Sequence, residues 1–206
     1  MKIVNQIQFP RFSGVKCHMM PFIQGDSNSL PERLKPYAKI IERNFLEAGE
    51  IGRLTIDESF VEGGKSQRGY NSKNANRNVH VEVGYVQPVY CWGGLPGWGG
   101  SPRTILDEDT KVLIANSISD TCRIWDKIKE KRYTPDGDLS DYLKDYPENT
   151  GRLMKAGELI KISIFTPHEC INQKNSGNRQ FIRIVGKGVR GREEYFTENP
   201  LLKIAA

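Results

Sequence analysis

Long apolar runs are absent from this chain of 206 residues. No stretch approaches the roughly 18 consecutive apolar residues of a membrane-spanning helix, so the sequence predicts no transmembrane segment. The N-terminal sequence MKIVNQIQFPRF lacks the apolar segment of a secretory signal, and we expect none. Internal repeats and low-complexity tracts are also missing, which excludes solenoid and fibrous architectures.

Cysteine is scarce and dispersed. The four cysteines, Cys17, Cys91, Cys122 and Cys170, form no CxxC pair. A disulfide framework and a cysteine-based zinc site are therefore not expected. Such cysteine usage is typical of a reducing compartment, and we expect a cytoplasmic protein.

A strong excess of charge of one sign is also missing. The chain has 30 Lys and Arg residues against 25 Asp and Glu residues, a net charge of +5. This balance is compatible with nucleic acid, a phosphorylated metabolite or an acidic protein as a partner, and it selects none of them. The sequence predicts neither the substrate, small molecule or macromolecule, nor the oligomeric state.

The chain does contain enough apolar residues, 37%, for one domain that spans residues 1–206 and has its own core. Apolar residues recur at steps of three and four between residues 30 and 48, which predicts a helix there. Ser29 is the expected N-cap of this helix, and Gly49 is its expected stop.

Beyond Gly49 the sequence changes to short segments rich in β-branched and aromatic residues, separated by Gly, Pro, Asn and Asp. These predicted strands span residues 52–64, 78–92, 111–118, 121–128, 158–165 and 179–186. A turn-rich insertion follows at 131–152 with a short helix over 141–146, and residues 175–178 are expected to close a hairpin between the last two strands. The predicted fold class is α+β, mainly β: a jelly-roll or barrel core over residues 50–200 with the 30–48 helix packed outside.

The glycine-rich stretches do not form a nucleotide-binding motif. GGKS at 63–66 lacks the earlier glycine of a P-loop, because that position is Ser59. GGLPGWGG at 93–100 contains Pro96 and leads into no helix, so we expect a loop rather than a dinucleotide fingerprint. Substrate specificity is expected in this loop and in the 131–152 insertion, because scaffold loops usually carry it.

Histidine is limited to His18, His80 and His168, so each can be weighed individually. His80 lies in NVHVEVG, where alternate residues of a strand share a face. His80 and Glu82 should therefore project together, opposite the valines at 79, 81 and 83. A histidine and a carboxylate on one face can supply two of the three ligands of a facial metal triad.

A distant third ligand and a carboxylate-binding group are the next expectation. His168 follows the predicted strand over 158–165, and Arg179 begins the next one. If these two strands pair as an antiparallel hairpin, the histidine and the arginine line one cavity. His168 would then hold the metal, and the guanidinium of Arg179 would bind a carboxylate through its two-pronged fork.

These residues resemble a known family. The order HxE, a distant His and then an Arg is similar to that of Fe(II)/2-oxoglutarate-dependent dioxygenases, although most members have Asp where this chain has Glu82. TPHEC at 166–170 with RQFIRIV at 179–185 looks like the TPHES and YRQFFR stretches of a poorly characterised branch of that family. Further similar blocks are SQRG at 66–69, DTCRIWD at 120–126 and GDLSDYL at 137–143, so the resemblance covers roughly residues 50 to 200.

The resemblance implies a double-stranded β-helix, an iron site and 2-oxoglutarate as co-substrate, which is decarboxylated to succinate as the substrate is oxidised. The implied iron ligands are His80, Glu82 and His168. Arg179 would bind the distal carboxylate of 2-oxoglutarate, with Arg183 on the same strand face as the alternative. Asn116 is a weaker candidate for a hydrogen bond to the co-substrate.

Two other functions remain open at this point. The Glu at position 82 and the polar stretch at 68–78 are compatible with a non-catalytic jelly-roll binding module that has lost the chemistry. A cupin-like metalloenzyme would use the same metal ligands without 2-oxoglutarate. The three functions differ in whether 2-oxoglutarate is decarboxylated and in whether the arginines are needed.

Overall fold

The computed structural model of the chain describes residues 1–67, 77–86, 89–92, 110–126, 137–189 and 196–202. The structure is 37% strand and 16% helical, and every described strand pair is antiparallel. The mainly-β fold class is therefore confirmed. The predicted loop at 93–100, most of the polar stretch at 68–78 and the first part of the 131–152 insertion lie outside the described residues. No helix in the described ranges is long and apolar enough to cross a membrane.

The described strands form two facing sheets and a short ribbon. Their bounds are β1 (Lys2–Gln6), β2 (Lys16–Ile23), β3 (Ile51–Val61), β4 (Val83–Val86), β5 (Val89–Trp92), β6 (Lys111–Asn116), β7 (Cys122–Ile124), β8 (Arg152–Leu153), β9 (Glu158–Ser163), β10 (His168–Cys170) and β11 (Gly177–Val185). The large sheet has the order β1-β9-β6-β11-β3-β2, the small sheet has the order β10-β7-β8, and β4 pairs with β5. Isolated bridges join His80 to His168 and to Asp138, which extends the small sheet beyond β10.

The predicted helix over 30–48 is shorter than expected. A 3-10 turn spans Glu32–Tyr37, and the α-helix α1 covers only Ala38–Arg43. Pro36 lies inside the 3-10 turn and has no backbone N–H to donate, so α-helical hydrogen bonding cannot extend through it. The helix ends at Asn44, whose backbone is extended and whose side chain donates to the Ile40 carbonyl.

The predicted N-cap of this helix is also wrong. Ser29 lies within an earlier 3-10 turn, Ser27–Ser29, whose own N-cap is Asp26, and Pro31 precedes the Glu32–Tyr37 turn. Later in the chain, the short helix predicted over 141–146 is present as a 3-10 helix at Ser140–Asp145, and a second 3-10 turn spans Glu148–Thr150.

The predicted hairpin between the strands at 158–165 and 179–186 is wrong. β6 lies between β9 and β11 in the large sheet and pairs with both. After β9 the chain leaves the large sheet, and β10 pairs with β7 in the small one. Residues 171–176 connect the small sheet to the large one, and residues 177 and 178 already belong to β11. No hairpin forms, because β6 occupies the position beside β9 that a hairpin partner would take.

Two apolar cores form on the two faces of the large sheet. The buried cluster on the inner face, the inner core, includes Val79, Val81 and Val83. The strand predicted over 78–92 is present only as β4 and β5, because His80 forms isolated bridges and the strand begins at Val83. The outer core contains Leu34, Tyr37 and Ile41 of the helical segment, packed on Leu54, Ile56, Ile182 and Ile184 of the sheet. The helical segment therefore covers the outer face of the large sheet and leaves the inner face to the site described below.

A buried carboxylate ties the N-terminal loop and the helical segment to the large sheet. Glu58 of β3 is 1% exposed. Its Oε2 accepts hydrogen bonds from the backbone N–H of Ser13 (2.6 Å), Gly14 (2.6 Å) and Val15 (3.2 Å) and from the Ser13 hydroxyl (3.0 Å); its Oε1 accepts from Tyr37 Oη (2.7 Å) and Gln180 Nε2 (2.9 Å). Burial by itself raises the pKa of Glu58, but these hydrogen bonds outweigh it and hold the pKa below its ordinary value.

We expect Glu58→Gln to lower the free energy of unfolding at neutral pH by about 1–3 kcal/mol, because an amide cannot accept all of these hydrogen bonds. The lowered pKa of Glu58 means that its contribution is complete above the unfolded-state pKa, about 4.3, and is lost as the pH falls through the folded-state value. Urea unfolding of both proteins between about pH 7 and pH 3 measures this. The two curves should converge in acid. Glu198→Gln, at an exposed position, is the control; equal effects of the two substitutions would contradict the assignment.

Candidate functional site

One cavity between the two sheets collects most of the predicted site residues. It has a volume of about 460 Å³, and its wall includes His80, Glu82, His168, Arg179 and Asn116. The histidines and Glu82 come from the small-sheet side, whereas the arginine and the asparagine come from β11 and β6 of the large sheet. Residues separated by up to about a hundred positions in the chain thus meet in one place.

The two imidazoles are oriented by the backbone in the same way. His80 Nδ1 lies 2.9 Å from the carbonyl oxygen of Asn78, and His168 Nδ1 lies 2.9 Å from that of Thr166. A carbonyl oxygen only accepts, so both Nδ1 atoms carry a proton, and Nε2 is the nitrogen left to bind a metal. This is the arrangement that fixes the tautomer of metal-binding histidines. Reciprocal backbone hydrogen bonds of 2.9 Å between His80 and His168 hold the ring centroids 4.3 Å apart.

Glu82 completes a set of two nitrogen donors and one carboxylate, and it is tied to an arginine. Its Oε1 lies 3.7 Å from Nε2 of His168. Nη1 of Arg183 donates to both carboxylate oxygens, at 3.0 and 2.9 Å, and both residues are buried. Arg183 Nη2 also lies 3.4 Å from the thioether sulfur of Met19.

Met19 reaches Arg183 because β2 is irregular at this point. The pairing of β2 with β3 shifts register between Cys17 and Met20. Met19 has a φ of +48°, in the left-handed region that non-glycine residues rarely adopt. The local distortion turns the Met19 side chain into the inner core, where it is fully buried.

The donor types at this site suit a divalent transition metal, although they are not preassembled around one. Within the described residues, no three His, Cys, Asp or Glu side chains are already arranged to hold a metal ion. The engagement of Glu82 by Arg183 explains part of this, because both carboxylate oxygens face the guanidinium. Two imidazoles and one carboxylate are nevertheless the donor chemistry of a facial triad.

Arg179 is a buried cation without a carboxylate beside it. It is 2% exposed, and its Nη2 donates to Oδ1 of Asn116. Within the described residues no carboxylate lies at ion-pair distance from it, and its Nε has no hydrogen-bond acceptor. Burying a charge without a counterion is costly, so the cavity in front of Arg179 favours an anion.

Glu169, next to His168, points away from the cavity. It is 2% exposed and receives Arg77 Nε (2.9 Å) and Nη2 (3.1 Å) together with Arg123 Nη1 (2.6 Å). The guanidinium of Arg77 also lies over the Trp125 ring, 5.5 Å from its centroid. This cluster anchors β10 from behind, while His168 faces the cavity from the same strand.

Sequence reasoning missed several residues of the cavity wall. His18 lies in it, although it falls outside the predicted donor set, and so do Cys17, Cys122 and Cys170. The alternation of His168 and Cys170 along β10 was the available signal for Cys170. Arg183, the alternative co-substrate residue, lies on Glu82 instead of in the cavity wall.

Comparison with known proteins adds no family to this geometry. The chain matches no protein-family model, no curated protein and no solved structure. The function of the cavity is therefore inferred from its own residues: two oriented imidazoles, a carboxylate and a buried guanidinium.

Glu82 and Arg183 should behave as one energetic unit. Removing either partner leaves a buried charge, so Glu82→Met or Arg183→Met alone should lower the free energy of unfolding by about 3–5 kcal/mol. The double variant should lose less than the sum of the single losses, because both charges are then gone. Urea unfolding of the parent, the two single variants and the double variant measures this double-mutant cycle, and a chelator keeps metal out of the site.

The exposed ion pair between Glu62 and Lys65 provides the matched control, since its oxygen and nitrogen lie 2.6 Å apart at the surface. The same cycle at that pair should show little coupling, because solvent screens exposed charges. Additive losses for Glu82 and Arg183 would show that the two side chains do not depend on each other.

Proposed function

We propose that this chain is a cytoplasmic non-haem Fe(II)- and 2-oxoglutarate-dependent oxygenase. The observation that carries the proposal is the meeting of His80, Glu82 and His168 with the buried guanidinium of Arg179 in one cavity. A donor set of two imidazoles and one carboxylate suits Fe(II), and a buried arginine without a carboxylate beside it suits a dicarboxylic acid. Neither feature alone would select this class.

The order of the strands supports a double-stranded β-helix for the core. Along the chain, β3, β6, β9 and β11 belong to the large sheet and lie side by side in the order β9-β6-β11-β3. The segments that alternate with these strands along the chain are the His80 bridge, β7, β8 and β10. They belong to the small sheet, where their order in space is His80 bridge, β10, β7, β8. A jelly roll requires two facing antiparallel sheets between which the chain repeatedly passes.

His80, Glu82 and His168 are the residues that would hold iron. The Asn78 and Thr166 carbonyls keep both imidazoles in the tautomer that coordinates through Nε2. Bound iron and 2-oxoglutarate would supply the oxidising chemistry, in which dioxygen is consumed and 2-oxoglutarate is decarboxylated to succinate. The Glu82 carboxylate would contact both the metal and Arg183, so Arg183 would restrict the rotation of the Glu82 side chain.

Arg179 would bind the distal carboxylate of 2-oxoglutarate. Asn116 accepts a hydrogen bond from Nη2 of Arg179 and so orients the guanidinium, whose remaining N–H groups can form a bidentate pair. We assign this role to Arg179 over Arg183 because the Arg183 guanidinium already lies on Glu82. Asn116 is then an orienting residue for the anion site.

Anaerobic addition of Fe(II) and then 2-oxoglutarate should give a weak visible absorption band, as the family resemblance implies for a keto acid chelated to ferrous iron. His168→Ala should abolish the band because it removes one of the two nitrogen donors. His18→Ala should retain it, since His18 lies in the same cavity wall outside the donor set. Equal loss in both variants would contradict the assignment of the ligands.

Arg179→Met should weaken the binding of 2-oxoglutarate to the Fe(II)-loaded protein by about 100-fold, because a buried charge-assisted pair is worth a few kcal/mol. Asn116→Leu should weaken it less, because the guanidinium keeps its charge. Isothermal titration calorimetry under anaerobic conditions measures both affinities. Arg43→Met, at an exposed position of α1, is the control and should bind as the parent does. Unchanged affinity in Arg179→Met would overturn the role of Arg179.

The non-catalytic binding module is the second candidate, and the Arg183–Glu82 pair favours it. A carboxylate that is fully engaged by an arginine need not serve a metal. This candidate predicts a folded protein in which no visible band forms and no succinate accumulates from 2-oxoglutarate. Iron binding that is unaffected by 2-oxoglutarate and by Arg179→Met would instead favour the cupin-like metalloenzyme.

A further inference from the structure

Two thiols face each other across the small sheet. Cys170 of β10 and Cys122 of β7 are direct register partners in the antiparallel pair. Side chains of directly opposed residues lie on the same face of a sheet, and both cysteines line the cavity. Both are thiols in the structure, with Cys122 buried and Cys170 partly exposed.

The hydrogen bonds around this pair identify its type. Ile171 N–H donates to the Thr121 carbonyl at 3.0 Å, which places that bond just beyond Cys170 and Cys122. Trp125 N–H donates to the Pro167 carbonyl at 2.9 Å, which gives the same spacing at the other end of β10. Cys122 and Cys170 therefore occupy a non-hydrogen-bonded position, where opposed side chains are closest.

This position has the backbone geometry that a disulfide needs. In non-hydrogen-bonded antiparallel pairs the Cα atoms lie about 4.5 Å apart. Disulfides span Cα separations of about 4.4–6.8 Å. The two strands can therefore be joined here with little movement of the backbone.

We propose that Cys122 and Cys170 form a redox-active dithiol that low-molecular-weight disulfides convert to a cross-strand disulfide. The Cys170 thiolate, the more accessible of the two, attacks one sulfur of oxidised glutathione, forms a mixed disulfide and releases one glutathione thiol. The Cys122 thiolate then attacks the Cys170 sulfur of that mixed disulfide and releases the second glutathione. Two protein thiols are oxidised, one glutathione disulfide is reduced, and the two protons leave on the released thiols.

Closure of this disulfide would lock β7 to β10, the strand that begins at His168. The wall of the cavity on that side would then be covalently fixed, and two thiols would be removed from its lining. The dithiol uses neither metal nor 2-oxoglutarate, so this inference stands or falls separately from the proposed function.

Peptide mapping of the full chain after anaerobic treatment with oxidised glutathione tests the dithiol. Cleavage after lysine and arginine separates the cysteines, because Cys122 lies in peptide 112–123 and Cys170 lies in peptide 162–174. We expect one linked species of these two peptides, lighter than their sum by two hydrogen atoms and lost on reduction. In Cys122→Ser the reaction should stop at the glutathione adduct of Cys170.

Cys17→Ser is the matched control, because Cys17 lines the same cavity but faces Ile56 across the strand pair. Burial raises the pKa of Cys17 to about 12, so its thiol stays protonated at neutral pH. This variant should form the linked peptides as the parent does. Stable glutathione adducts without linkage in the parent, or linkage through Cys17 or Cys91 instead, would overturn the proposal.

Discussion

The pairing of β11 between β3 and β6 is the constraint on which the rest of the structure depends. β11 pairs with β3 along its whole length, from Gly177 to Val185, and with β6 from Phe181 onward. Once both neighbours are in register, the alternation of side chains on β11 is fixed. Ile182 and Ile184 enter the outer core, whereas Arg179 and Arg183 are turned toward the space between the sheets. A slip of one residue would exchange the two sets and eliminate both cores and the cavity.

Three buried carboxylates show how the fold stabilises charged groups in its interior. Glu58 is stabilised by neutral hydrogen-bond donors alone, Glu82 faces one arginine, and Glu169 faces two. In each case the charge is matched within the protein. Arg179 differs, because Asn116 offers it a neutral acceptor in place of a carboxylate. That contrast is why an anionic ligand is the simplest explanation for a guanidinium at this position.

The small sheet performs several tasks with few residues. The faces of β10 alternate between His168 and Cys170 in the cavity wall and Glu169 in the arginine cluster behind it. The face of β10 that lines the cavity is thus supported by a charged anchor on the other face. A dithiol formed by Cys170 of this strand and Cys122 of β7 would couple the redox state of the protein to the same wall that presents His168.

The sequence by itself determined the features that depend on neighbours in the chain. The mainly-β class, the burial of the valines at 79, 81 and 83, and the short helix at Ser140–Asp145 all follow from the local sequence. One cavity contains the four residues that the sequence pattern singled out, His80, Glu82, His168 and Arg179. The hairpin that was expected to bring His168 and Arg179 together does not exist.

Only the tertiary structure decided which strands pair and which charges meet. Nothing local in the sequence indicates that β6 separates β9 from β11, that Arg183 binds Glu82, or that Cys122 opposes Cys170. The early end of the helix at Arg43 has the same origin, because the backbone N–H of Leu46 donates to the side chain of Gln24, whereas its late start follows from Pro36 in the sequence itself. Local periodicity sets the face of a strand on which a side chain projects. The residue that this side chain meets depends on long-range hydrogen bonding and burial, which involve residues far away in the chain.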